Sequence, residues 1–153
     1  MKVITKNKKA YFDYEILETF EAGIKLTGQE VKSIKNGKIS IKGSYIVLKK
    51  QDKKEIPEVF MIGCTIPPYQ PNNTPSDYNP ERSRKLLLKK QEIKHLIGKS
   101  KEKGLTVIPL KVYTRKGKIK LEIATVKGKK KVDKREKIKK RDVDRQIRNA
   151  LKR

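Results

Sequence analysis

The final stretch of the chain, from Lys127 to Arg153, limits where a core can be built. It opens Lys-Gly-Lys-Lys-Lys-Val-Asp-Lys-Arg-Glu-Lys-Ile-Lys-Lys-Arg-Asp; basic residues outnumber acids several to one, and the apolar residues are too sparse to bury one another. Cationic charge at that density is stable when it is solvated or when it meets a polyanion. The globular part must therefore come from the residues ahead of it. The tail itself reads as a segment made for nucleic acid, with a plain solubilising extension as the competing reading. Within it Glu136 faces Lys140 and Asp144 faces Arg148 at i,i+4, while Val143, Ile147 and Leu151 fall on one stripe. That spacing predicts a short amphipathic helix that forms on a partner, in a tail that is disordered when free.

The whole chain carries the same bias: among 153 residues, 41 Lys and Arg face 17 Asp and Glu, for a formal charge of +24, and only 35% of residues are hydrophobic. Such a charge makes the compact state repel itself and favours phosphates, with anionic membrane surfaces a minor alternative. Membrane insertion is not expected, because the most apolar run, Val59 to Ile66, is far short of the ~20 residues a spanning helix needs. Met1 to Tyr14 is charged and lacks the apolar core of a secretory signal. The single cysteine, Cys64, has no internal disulfide partner and reads as a small buried hydrophobe, in keeping with a cytoplasmic location.

In chain order, a basic lead at Lys6 to Ala10 precedes a β-rich run from Tyr11 to Phe20, whose alternation slips at Ile16 and Leu17 and so predicts a bulge or a strong bend. Glu21-Ala22-Gly23 reads as a turn into a second strand through Ile24 and Leu26. A short helix is expected around Val31 and Ile34, stopped by Asn36-Gly37. Two alternating runs, Ile39 to Val47 and Phe60 to Ile66, make a hairpin with a polar tip. Five of the seven prolines then fall between Pro67 and Pro80, which predicts a surface loop. Its Tyr69 and Tyr78 either stack on bases or pack back onto the domain. Leu86, Leu87 and Leu88 sit between basic residues, strand or helix; Ile93, Leu96 and Ile97 mark a helix. Thr106 to Tyr113 and Ile119 to Val126 flank Arg115-Lys116-Gly117 as the clearest hairpin, with Pro109 marking an edge or a bulge.

These runs amount to roughly six strands and two or three short helices. A mainly β, OB-type, partly open antiparallel barrel over residues 1–127 is the expected fold, followed by the basic tail at 128–153. No paired carboxylates, Cys-His arrangement or glycine-rich phosphate loop emerges, so no enzyme, small-molecule substrate or cofactor is expected. His95 is the only histidine in the sequence and reads as a surface or boundary residue rather than a metal ligand.

Five segments in order resemble the SmpB (small protein B) family: Asn7-Lys-Lys-Ala10, Phe20-Glu-Ala-Gly-Ile24, Gly28-Gln-Glu-Val-Lys-Ser-Ile34, Arg84-Lys-Leu-Leu-Leu88 and Gly128-Lys-Lys-Lys-Val-Asp-Lys-Arg135. The resemblance implies an OB-type barrel that binds the tRNA-like domain of transfer-messenger RNA and escorts it to stalled ribosomes, without catalysis. Carried over residue by residue, it implies an RNA face of Asn7, Lys8, Glu21, Leu87, Lys89 and Lys120. It also implies a ribosome-binding tail that uses Gly128, Lys129, Lys130, Asp133, Lys134 and Arg135, beside the stripe Val143, Ile147 and Leu151. Val132 departs from the histidine of some relatives, and Lys89 replaces an uncharged residue. For Glu21 the competing role is a turn residue before Gly23, and for Leu87 a core residue. The rival to the whole reading is a structural ribosomal protein with a basic rRNA-binding tail.

Overall fold

The computed structural model of the chain describes residues 1–128; the tail from Lys129 onward, with the helix and the ribosome contacts expected there, lies outside the described residues. In order, the elements are β1 (Lys2–Lys6), α1 (Lys8–Asp13), β2 (Tyr14–Ile24), α2 (Gly28–Lys35), β3 (Tyr45–Lys49), β4 (Glu58–Ile62), β5 (Arg84–Leu87), α3 (Lys90–Ser100), β6 (Leu105–Arg115) and β7 (Lys118–Gly128). The seven strands form one antiparallel sheet in the order β1-β6-β7-β2-β5-β4-β3. It curls until β3 packs near β6, yet no ladder joins β1 to β3, so the sheet stays open.

The inner face of the curl holds the main core, with Ala22, Leu121, Ile123, Val112, Met61, Leu86 and Leu96 fully or almost fully buried. Removing that apolar area from water is the main force that curls the sheet. A second, smaller core lies on the outer face, where α1 seats Ala10 over Ile108, Leu110, Ala124 and Val126. α1 exists because Asn7 caps it: Asn7 Oδ1 accepts from the Ala10 N–H at 3.3 Å while Asn7 Nδ2 donates to the Pro109 carbonyl at 3.2 Å.

Several sequence expectations change here. Lys2 to Lys6 is a strand not expected from the sequence, and Tyr11 and Phe12 lie in α1, where the asparagine cap overrides their strand preference. Glu21-Ala22-Gly23 is not a turn. β2 continues to Ile24 because β7 pairs with it from Tyr14 to Gly23 and β5 pairs with Gly23 and Ile24. Ile39 and Ile41 precede β3 and are buried, tied to the body by a Ser40–Thr65 bridge. Leu86 and Leu87 belong to a strand. The expected bulges are present, between Ile16 and Glu18 and between Pro109 and Lys111, and β6 is an interior strand. The Lys116-Gly117 turn has positive φ at both residues, 51° and 77°, the backbone a two-residue hairpin needs.

α2 is anchored by charge. Thr27 and Glu30 form a capping box, with Thr27 N–H to Glu30 Oε1 at 2.9 Å and Glu30 N–H to Thr27 Oγ1 at 3.3 Å. Glu30, only 1% exposed, also receives Arg84 through Nε at 2.8 Å and Nη2 at 2.7 Å, and Arg82 at 2.6 Å. Arg84 is fully buried, and its Nη1 and Nη2 donate to the carbonyls of Cys64 and Pro80 at 2.7 and 2.9 Å. A buried pair this completely hydrogen-bonded is the arrangement in which attraction offsets desolvation. Tyr78 packs back, its hydroxyl donating to the Ile66 carbonyl at 2.7 Å, while Lys32 lies 5.7 Å from the Tyr69 ring.

Candidate nucleic-acid interface

Residues directly opposite one another on neighbouring strands point to the same face, so the registers assemble the outer surface row by row. One row runs Val3, Tyr113, Lys120, Gly23, Leu87 across β1, β6, β7, β2 and β5. The adjacent row runs Lys6, Lys111, Glu122, Glu21. A third, shorter row pairs Arg115 with Lys118 at the hairpin end. Glu21, Leu87 and Lys120, distant in sequence, therefore share one patch.

Within the patch the charges are sorted. Glu21 and Glu122 are cross-strand partners, an arrangement of like charges that needs compensation. Lys111 answers Glu122 at 3.5 Å. On Glu21, the Tyr113 hydroxyl donates to Oε2 at 2.5 Å and Arg115 Nη1 donates to the same oxygen at 3.1 Å. Those two donors, the tyrosine first, hold the Glu21 carboxyl below the usual carboxylate range in spite of some desolvation. Tyr113 is 4% exposed, and burial together with the Glu21 acceptor pushes its phenol well above the ordinary value. Lys120 makes no ion pair among the described residues, and Leu87 is 54% exposed. A leucine that bare, at the end of a strand, is not a core residue. Gly23, between Lys120 and Leu87, lets the strands close up: a Cβ there would meet Leu87 Cβ at 3.3 Å.

The other sequence candidates fall around this patch. Lys8 is exposed on α1, which sits on the same outer face, since Ala124 beneath it is two residues from Glu122 on β7. Asn7, by contrast, is only 8% exposed and spends its amide on the α1 cap and Pro109. Lys89 lies two residues past β5 as the exposed N-cap of α3; its backbone N–H donates to Glu92 Oε1 at 3.1 Å. Gly128 ends β7 opposite Tyr14, and the tail residues beyond it lie outside the described chain. Tyr113, Arg115, Lys111 and Glu122 were missed in sequence, though the two-residue turn fixes Arg115 against Lys118 and hence Tyr113 against Lys120. What no local pattern shows is that β2 lies beside β7, which brings Glu21 to Tyr113.

Away from this face, His95 Nε2 meets Glu18 Oε2 at 2.6 Å at the boundary of α3 and β2. Among the described residues no group of three or more His, Cys, Asp or Glu is placed to hold a metal ion, and no helix is long and apolar enough to cross a membrane.

An open antiparallel sheet whose outer face presents lysine, a fixed carboxylate and a bare leucine, on a chain of charge +24, defines a class: small basic β-sheet proteins equipped for a polyanion. The chain belongs to the SmpB protein family, whose model matches residues 4–153. It is 52% identical over 154 residues to the SsrA-binding protein of Thermosipho africanus (strain TCF52B), covering 100% of this chain and 99% of the relative. It is 48% identical over 151 residues to that of Trichormus variabilis (strain ATCC 29413 / PCC 7937), covering 99% and 94%. Among solved structures it is similar to a chain described as "tmRNA-SmpB: a journey to the center of the bacterial ribosome", with a TM-score of 0.66 and 40% identity over 86% of this chain and 87% of that one.

Proposed function

We propose that this protein binds the tRNA-like domain of transfer-messenger RNA and delivers it to stalled ribosomes, acting in the cytoplasm as an adaptor with no catalytic step. Relatives named SsrA-binding protein and a similar solved chain described by tmRNA-SmpB and the bacterial ribosome support the reading. The observation that carries it is the patch itself: Glu21, Leu87 and Lys120 arrive on one face from three strands. Lysines there and at Lys8 and Lys89 take phosphates, which fix register, while Glu21 accepts from groups a cation cannot read. Asn7 contributes by capping the helix that carries Lys8.

In this reading residues 1–127 capture the RNA and residues 128–153 engage the ribosome. Gly128, Lys129, Lys130, Asp133, Lys134 and Arg135 lead the tail into the phosphate-lined messenger channel, where Val143, Ile147 and Leu151 gain a surface to meet. Competition tests the first half. At moderate salt the tRNA-like domain displaces a labelled copy of itself far better than unrelated duplex RNA does; equal competition by the duplex refutes selective recognition.

A further inference from the structure

We propose that Tyr113 and Arg115 are positioning residues that fix Glu21 as a one-oxygen acceptor for a ribose 2′-hydroxyl of the bound RNA; this rests on the RNA-binding reading above. The geometry is specific. Both donors converge on Glu21 Oε2, at 2.5 Å from the Tyr113 hydroxyl and 3.1 Å from Arg115 Nη1. Oε1 receives no hydrogen bond from the described residues, and the side chain stands on the exposed outer face. One oxygen is thereby held and the other offered.

A carboxylate with two open oxygens can take a pair of parallel donors, such as the imino and amino groups of an unpaired guanine; with Oε2 filled, Glu21 is left with a single acceptor. Two facts favour the ribose over a base amino group as the donor. Lys120 lies in the next row of the same face, diagonal to Glu21 across β2 and β7, a spacing of about 7–8 Å between backbones. Its charge acts on Glu21 through space, but it makes no close ion pair among the described residues, so its ammonium is open to a phosphate. The 2′-hydroxyl is one carbon removed from the 3′-phosphate linkage, so a lysine on the phosphate and a carboxylate on the hydroxyl grip one stretch of backbone. The 2′-hydroxyl is also the group that separates RNA from DNA.

Tyr113 fits the positioning role rather than direct contact. Its ring is buried, its hydroxyl is used on Glu21, and its place opposite Lys120 is set by the hairpin register. Without the hydroxyl, Glu21 keeps its charge but loses the shorter of the two hydrogen bonds that fix its rotamer.

The test is 2′-O-methyl scanning of the tRNA-like RNA, which removes one donor at a time and preserves A-form geometry, read as affinity for the wild type, Glu21→Ala and Tyr113→Phe. Expected is a position where methylation weakens wild-type binding about tenfold, the value of one hydrogen bond to a charged group. In Glu21→Ala that penalty disappears, and in Tyr113→Phe it shrinks several-fold, with melting temperatures recorded alongside. Scanning with bases that lack their exocyclic amino groups is the second arm. The proposal is overturned if no methylation penalty depends on Glu21, if Tyr113→Phe keeps the full penalty, or if the Glu21-dependent loss appears with the amino-deleted bases instead. Loss of wild-type preference for the tRNA-like RNA over duplex RNA removes the underlying reading as well, which distinguishes the two failures.

Discussion

Arg84 has five N–H donors in a fixed fork and no exposure, so replacing it strands Glu30 as a buried carboxylate with Thr27 N–H and Arg82 for company. Arg84→Ala is expected to lower unfolding free energy by about 3–5 kcal/mol in urea titrations. The pair also contributes to the acid limb of stability. Burial alone would raise the Glu30 carboxyl, but the Thr27 N–H, Arg82 and Arg84 together bring it below its ordinary 4.5. A depressed folded pKa gives stability that is present above pH 4.5 and lost as pH falls through the folded value. Tyr113 acts at the other end: its folded pKa is raised, so its contribution is complete below pH 10 and fades as pH climbs past that. Melting curves from pH 9 to 11.5 should therefore fall less steeply for Tyr113→Phe than for the wild type. Burial pushes the Cys64 thiol up to about 11, so at pH 8 it should react with an aromatic disulfide reagent only at the rate of unfolding.

At the scale of elements, what was legible followed periodicity and turn chemistry. The 116–117 turn, the bulges at Ile16 and Pro109, and the stop of α2 at Asn36-Gly37 all express rules that act within a few residues. Where a local preference met a long-range partner, the partner won. Gly23 illustrates it: alone it suggests a turn, yet it is the residue that lets β5 approach β2 with Leu87 packed over it. For the same reason Glu21 and Leu87 could be named from a resemblance, while the donors that orient Glu21 could not, since β2 and β6 are tied only through β7. Gly23→Ala puts a methyl 3.3 Å from Leu87 Cβ and should displace that leucine. A stability loss of about 1 kcal/mol with a several-fold weaker grip on RNA is expected, measured by melting and by titration of labelled RNA.

For the molecule as a whole, the charge of +24 makes RNA affinity a function of salt. With roughly six phosphate contacts it should drop about three decades between ~50 and ~200 mM salt, and Lys120→Ala should reduce the slope by about one unit. Truncation after Val132 should leave that affinity within a few fold while abolishing peptide transfer to the RNA on stalled ribosomes. β7 gives this division a dimension. The strand carries Lys120 on the outer face and ends at Gly128, held against Tyr14 with the ladder to β2 running between them. At ~3.3 Å per residue, the tail leaves the body ~26 Å from that lysine. Because β6 and β2 clamp β7 from both sides, this is a stiff ruler rather than a tether. Under the proposed function, RNA held at Lys120 would thus fix where the chain passes into residue 129.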